Sequence, residues 1–332
     1  VTYYTGLPNV SIPIFNATGS ELSIPITLTY NFSGLQPYQK PGWVVLGWSL
    51  QAGGVVTRSI GDKLDDHYPN PYFSDSVGRV PTQTYMYQSA EFSVYDNEPD
   101  VYNFSFGNYS GKFIKYNGQF YMMPWQQLKI VGGEGGYTFT TEDGTRYIFT
   151  AREQTYPRGS PTGYSIHEHT SSWYLTKVVN ASKTDSISFS YTNEGRMLQF
   201  GPRSQTYQKW DHDWSYVPAL MLAGFNPPIN SAALPPVSEL LPTKVAPLRL
   251  SSINTSKFTV FFTPQSSNRE DILLDDTDGT AQSRALKSIT VYSHDGIIVK
   301  HVDFEHSYTP SSNKILLLNA VIDRGTMTSQ AV

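Results

Sequence analysis

The residues with the most chemical potential in this chain are short clusters of histidines and carboxylates. His167-Glu168-His169 places two imidazoles at i and i+2, on one face if the segment is extended, and Asp211-His212-Asp213 repeats the mixture farther along. Zinc needs three or four such ligands converging on one point; two histidines near a Pro/Gly-rich stretch equally make ordinary polar surface. Asp62, Asp65, Asp66 and His67 form a second cluster, with the composition of a loop for a hard cation and also that of a solvated turn ending a strand. Asp275-Asp276-Thr277-Asp278-Gly279 lacks the ligand alternation and distal glutamate of a calcium loop, and reads as a turn or flexible loop. No Gly-x-Ser-x-Gly elbow, phosphate-binding glycine loop or His-Glu-x-x-His motif occurs. The chain has no cysteine, which excludes disulfides, thiolate catalysis and Cys-ligated zinc. Glycoside hydrolysis asks for two carboxylates at a set separation, and nothing in the sequence nominates a pair. No catalytic residue, cofactor or metal ligand is therefore assigned. Trp210 and Trp214, flanking Asp211-His212-Asp213 in an irregular stretch, are the best placed to stack on a glycan or a partner surface.

The elements around these clusters read as β. Val10, Ile12 and Ile14 alternate with polar residues and Pro13, as do Leu22, Ile24, Ile26, Leu28 and Tyr30 with Ser23, Pro25, Thr27 and Thr29. Period-two alternation predicts two half-buried strands. The proline in each predicts a bulge or an edge-facing side, and Asn16-Ala17-Thr18-Gly19 the turn between them. Short strands are expected at 101–106, 111–116, 119–123, 127–131, 137–141 and 145–150, separated by Asn, Gly and Asp turn signals. Residues 66–90, 151–170 and the Pro-rich 206–247 read as irregular, with a helical turn or two available to 217–222. In the second half Leu-x-x-Ile/Val recurs as Leu175/Val178, Leu250/Ile253, Leu286/Ile289 and Leu318/Val321. After the first three come a turn and a strand ending in aromatics, so each unit is a β-hairpin that must stack on a neighbour.

The densest architectural signal is Trp43-Val44-Val45-Leu46-Gly47-Trp48-Ser49-Leu50-Gln51-Ala52-Gly53-Gly54-Val55-Val56-Thr57-Arg58. Gly47, Gly53 and Gly54 permit positive φ or close backbone approach, and Trp43 and Trp48 have large areas to bury. That combination suits a tight corner packed into a β core.

Composition bounds the function. Over 332 residues aromatics make 14% and charged residues 16%, with 25 Gly and 22 Pro, a profile of turn-rich all-β protein. A net charge of −4 with scattered Lys and Arg leaves no basic footprint for nucleic acid or an anionic membrane surface. No run approaches the 18 apolar residues of a membrane-spanning helix. The abrupt ends, Val1-Thr2-Tyr3-Tyr4 and Ser329-Gln330-Ala331-Val332, read as those of a piece of a longer protein.

Several segments carry a family resemblance. They are Tyr4-Thr5-Gly6-Leu7-Pro8-Asn9-Val10-Ser11-Ile12-Pro13-Ile14, Leu22 through Tyr30, Leu46 through Arg58, Asp96-Asn97-Glu98-Pro99-Asp100-Val101-Tyr102, Tyr109-Ser110-Gly111-Lys112-Phe113 and Ser172-Trp173-Tyr174-Leu175-Thr176-Lys177-Val178. In this order they resemble the N-terminal β-rich region of RHS/YD-repeat proteins, in the form found in exported proteins of the Bacteroidota. The Leu-Gly-Trp element is also similar to the N-terminal domain of the B component of insecticidal toxin complexes. The resemblance implies a shell spirally wound from β-hairpins that encloses or presents a C-terminal effector, and a secreted or cell-surface location. It suggests export by a type IX system, with contact to the export machinery. Asp75-Ser76-Val77 and Asp185-Ser186-Ile187 match the short O-glycosylation pattern of such exported proteins. The chain departs from the family in having no run of regular YD repeats, no RHS core motif and no effector.

The expectation is thus an all-β protein with two parts. Residues 1–150 form a sandwich- or barrel-like domain with the Leu-Gly-Trp glycine corner, and 151–332 irregular YD-like hairpins. Its function is that of a non-enzymatic scaffold whose main partner is the remainder of the same polypeptide. The alternative is a carbohydrate- or surface-binding adhesin on the same framework.

Overall fold

The computed structural model describes residues 10–30, 34, 42–61, 63–67, 96, 98–156, 167–199, 243–275, 281–310 and 314–325. Among them all regular structure is β, and every strand pairing is antiparallel. A three-stranded sheet runs in the order β1 (Val10–Thr18), β2 (Ser23–Tyr30), β3 (Trp48–Gln51). A bulge interrupts β1 between Pro13 and Phe15, as its proline predicts. Pro25 lies outside the register of β2 with β3, so its missing N–H breaks no bond there. The expected turn at Asn16–Gly19 is displaced. Strand β1 continues through Thr18, with Ala17 fully buried opposite Ile24, and the reversal falls at Gly19–Leu22. Burying Ala17 outweighs the turn preference of its neighbours.

The remaining sixteen strands form one large sheet that is not closed into a barrel. The first arm is a meander of β4 (Gly54–Ser59), β5 (Val101–Phe106), β6 (Tyr109–Tyr116) and β7 (Gln119–Met123). A second meander holds β8 (Lys129–Gly133), β9 (Gly136–Thr140), β10 (Arg146–Tyr156), β11 (His169–Val179) and β12 (Ser186–Asn193). It continues through β15 (Leu248–Asn254), β16 (Phe258–Pro264), β17 (Leu286–Ser293), β18 (Ile298–Tyr308) and β19 (Leu316–Asp323). Two short strands, β13 (Met197–Gln199) and β14 (Thr243–Ala246), add to the far edge of β10.

Two irregular segments shrink accordingly. Strand β10 extends to Tyr156 and β11 begins at His169, because each supports the other over its whole length. Thr243–Ala246, at the end of the expected Pro-rich loop, is paired as β14 with Val245 and Ala246 buried. Most of 206–247, including 217–222, lies outside the described residues, as does most of 66–90. Residue 150 falls inside β10, so the large sheet runs without interruption across it.

Strands β10 and β11 are the trunk of this sheet. On its outer edge β11 pairs with β4 at Ser172–Tyr174 and then with β12 at Lys177–Val179. The sheet therefore forks. An aromatic core packs beside the trunk: Trp173, fully buried, meets Tyr137 edge-on at 5.0 Å, and Phe106 lies 5.0 Å from Phe139. Trp173 Nε1–H donates to the Glu134 carbonyl at 2.9 Å, so the indole is buried with its polar atom satisfied.

The Leu-x-x-Ile/Val pairs lie in β11, β15, β17 and β19. Leu175, Val178, Ile253, Leu286 and Ile289 are buried, as are Ile187, Phe189, Val260, Phe262, Val302 and Phe304 on the strands that follow. The hairpins β11–β12, β15–β16 and β17–β18 are joined edge to edge by the pairings β12–β15 and β16–β17.

One clasp fastens the small sheet to the large one. The Asp185 carboxylate, at the foot of β12, accepts the Glu21 and Leu22 amides at 2.7 and 2.9 Å and the Ser256 hydroxyl at 3.3 Å. Thr255 Oγ1–H also donates to the Thr18 carbonyl at 2.9 Å. Three hairpin turns thus meet at one carboxylate. A Cβ on Gly19 would lie 2.6 Å from Asp185 Oδ2, so only glycine fits there.

Candidate functional site

The glycine corner forms the wall of a cleft of about 300 Å³, at the low end for a small-molecule site. Its lining comes from both sheets and both branches of the fork: Ile24, Pro25, Leu50 and Gln51; Gly53 to Val55 and Phe106; Tyr174; and Tyr191, Leu248 and Leu250. Trp43 closes one side. The cleft therefore lies where β4 and β12 part company on β11, beneath the three-stranded sheet.

Trp43 owes its position to three bonds made by the backbone around it. Arg269 Nη1–H donates to the Gly42 carbonyl at 2.7 Å, the Leu286 amide to that of Trp43 at 3.2 Å, and His306 Nε2 meets that of Val44 at 3.2 Å. Burial lowers the His306 pKa, which keeps the ring neutral. Its Nε2–H then donates to Val44 while Nδ1 accepts from Gln265 at 3.1 Å. Segment 42–45 is thereby fixed to the β16–β18 region. The Trp43 ring rests 6.1 Å from Phe262, with the Arg249 guanidinium 5.9 Å from its centroid. Its indole Nε1 is removed from solvent and has no hydrogen-bond partner.

The glycines divide the work. Gly47 has φ +79° and turns the chain before Trp48, whose ring packs 5.1 Å from Tyr30. Gly53 and Gly54 do not take positive φ. Gly54 is needed for close approach, since a Cβ would lie 2.6 Å from Phe106 Cβ and 3.1 Å from the Ser105 carbonyl. A Cβ on Gly53 would meet the Phe189 ring at an ordinary 3.5 Å.

At the fork itself, Leu175 and Thr176 lie between the stretch of β11 paired to β4 and the stretch paired to β12. The Leu175 carbonyl is satisfied by a side chain: Tyr191 Oη–H donates to it at 2.8 Å. Tyr174 Oη–H donates to Glu153 Oε2 at 3.1 Å, and Glu153 Oε1 accepts from the Ser171 and Ser172 hydroxyls at 2.9 and 3.2 Å. The cleft thus has aromatic walls whose two phenols are already engaged, plus one unsatisfied indole N–H.

A second polar centre lies where β4 ends. Arg58, buried, directs Nε to Asp100 Oδ2 at 2.8 Å and Nη2 to both Asp100 and Asp66, the latter at 2.8 Å. The Asp65 amide donates to Asp100 Oδ2 at 3.2 Å and the Asp100 amide to Asp65 Oδ2 at 3.1 Å. Asp96, fully buried, accepts the Lys63 and Glu98 amides on Oδ1 at 3.3 Å each.

The other sequence clusters disperse. His67 stacks on His167 with centroids 4.2 Å apart, and His169 Nδ1 lies 3.0 Å from the His167 carbonyl, while Glu168 is exposed. Asp275 is no flexible-loop residue: it is buried, ion-paired to Lys244 at 2.5 Å, and its amide donates to the Arg196 carbonyl. Among the described residues no group of three or more His, Asp or Glu is arranged to hold a metal ion, and no helix is long and apolar enough to cross a membrane. Trp210, Trp214, Asp211-His212-Asp213, Asp62, Asp75-Ser76-Val77 and Asp276 through Gly279 lie outside the described residues. Ser186 is exposed on β12 while its neighbour Asp185 is buried in the clasp. Tyr174, Tyr191 and Leu248 were missed as cleft residues, having no sequence signal beyond being apolar or aromatic on strands. Comparison with protein-family models and with curated proteins returned no match.

Proposed function

We propose that this chain is a non-enzymatic β framework, the N-terminal part of a large secreted or cell-surface RHS/YD-repeat protein that encapsulates or presents a C-terminal effector. The observation that carries the reading is the edge-to-edge addition of hairpins β11–β12, β15–β16 and β17–β18, each burying equivalent aliphatic and aromatic positions. Such a sheet grows by repeating one step, and β19 leaves its outer edge without a strand partner among the described residues. An unpaired edge is a template for a further hairpin. The test is a cryo-EM map of the full-length gene product. The expected result is a hairpin spiral continuing from β19 around an enclosed C-terminal segment; a β19 edge left free, with no shell, would sink the proposal.

A second reading, a carbohydrate-binding module, is favoured by one observation: the aromatic cleft with the orphaned Trp43 indole. Sugars present apolar ring faces and hydroxyl acceptors that suit such walls. A glycan array run with the wild-type chain and with Trp43→Phe, which keeps an aromatic ring and deletes the N–H, separates the readings. Signals lost in the variant support binding at the cleft; blank arrays for both favour the framework alone.

A further inference from the structure

We infer that Asp65 and Asp96 hold a single proton between them, and that this shared proton latches the turn at 61–67 onto the segment at 96–100. Asp65 Oδ2 is occupied by the Asp100 amide, and Asp96 Oδ1 by the amides of Lys63 and Glu98. The other oxygens, Asp65 Oδ1 and Asp96 Oδ2, are out of solvent and receive no N–H or O–H donor. Yet the two side chains are hydrogen-bonded to one another. Carboxylates only accept, so a bond between two of them requires a proton on one.

The surrounding charges favour the same state. Asp65, Asp66, Asp96 and Asp100 converge on one cation, Arg58, which is spent on Asp100 and Asp66. Lys63 and Glu98 stand on the same two segments, and His67 ends the turn with its ring on His167. Burial, reinforced by the Asp100 charge, pushes the Asp65 carboxyl up to about 7, and burial also raises that of Asp96. Between roughly pH 4 and 7 the latched state therefore keeps a proton that the open state releases, and the latch weakens as pH rises through that window. Above it both carboxylates are ionised, and the weakening is complete.

The experiment is hydrogen exchange of the whole chain from pH 4.5 to 8.5, corrected for intrinsic rates and read at the amides of 61–67 and 98–101. Opening should increase by up to about tenfold per pH unit to near pH 7 and then level off. Asp65→Asn and Asp96→Asn each replace the shared proton with an amide donor and should flatten the profile. Infrared spectroscopy of the wild-type chain supplies a reading that needs no variant: a protonated-carboxyl band at pH 5.5 that disappears by pH 9. A flat wild-type profile, variants as pH-dependent as the parent, or the lack of that band would overturn the inference. So would protection of the wild-type turn by calcium chloride at pH 8 that is absent in Asp65→Asn, because a cation would then fill the gap.

Discussion

Gly54 shows how much one missing methyl group decides. Its Cα faces the Phe106 side chain and the Ser105 carbonyl with no room for a Cβ, whereas neighbouring Gly53 faces only a ring at contact distance. Gly54→Ala is expected to cost about 1–3 kcal/mol through overpacking, and Gly53→Ala to be close to neutral. Parallel urea titrations of the two variants check this, and equal losses would count against it. Both glycines stand out in the sequence as a pair among β-branched residues. Which of them is indispensable was not legible, because Phe106 comes from a strand fifty residues away in the chain.

At the scale of elements, the sequence was most legible where a strand needs nothing but its own alternation. Val101–Phe106 and Gln119–Met123 are strands with the expected limits, since turn residues bound them and one face is plainly apolar. Strand β14 and the end of β10 were not, because Thr243–Ala246 and Arg152–Tyr156 become strands chiefly by pairing with each other and with β11 and β13. The Asp185 clasp was invisible for a related reason: its donors, Glu21, Leu22 and Ser256, are remote in sequence. Burial works against ionisation of Asp185, but the Glu21 and Leu22 amides and the Ser256 hydroxyl prevail and hold its pKa below the usual carboxylate value. The native state thus binds fewer protons than the unfolded chain in acid, so this contribution is present above about pH 4 and is lost as pH falls through the native value. Asp185→Ala should strand two amides and cost about 1–3 kcal/mol at pH 7, with a smaller difference from wild type at pH 3. Thermal melts at the two pH values measure it.

Across the whole molecule, the large sheet joins what the sequence reading placed in separate halves of the chain, and the fork on β11 is where its branches meet. The Leu175 carbonyl in that gap depends on the Tyr191 hydroxyl. Tyr191→Phe keeps the ring and removes the donor, so it should cost about 1–3 kcal/mol. Its signature is faster amide exchange in β4 and β12 together. Faster exchange in β12 alone would show that the two branches do not depend on this point.

The fork also governs how the sheet would bear mechanical load. Tension applied between the β7 and β19 margins has one route through the strand pairings, across β11 from its β4 contact at Ser172–Tyr174 to its β12 contact at Lys177–Val179. The strand would then be sheared along its own axis, loading several hydrogen bonds at once, while the meanders on either side would be peeled one bond after another. In a pulling experiment the meanders should yield first at low force, and the trunk should survive as the last resisting unit.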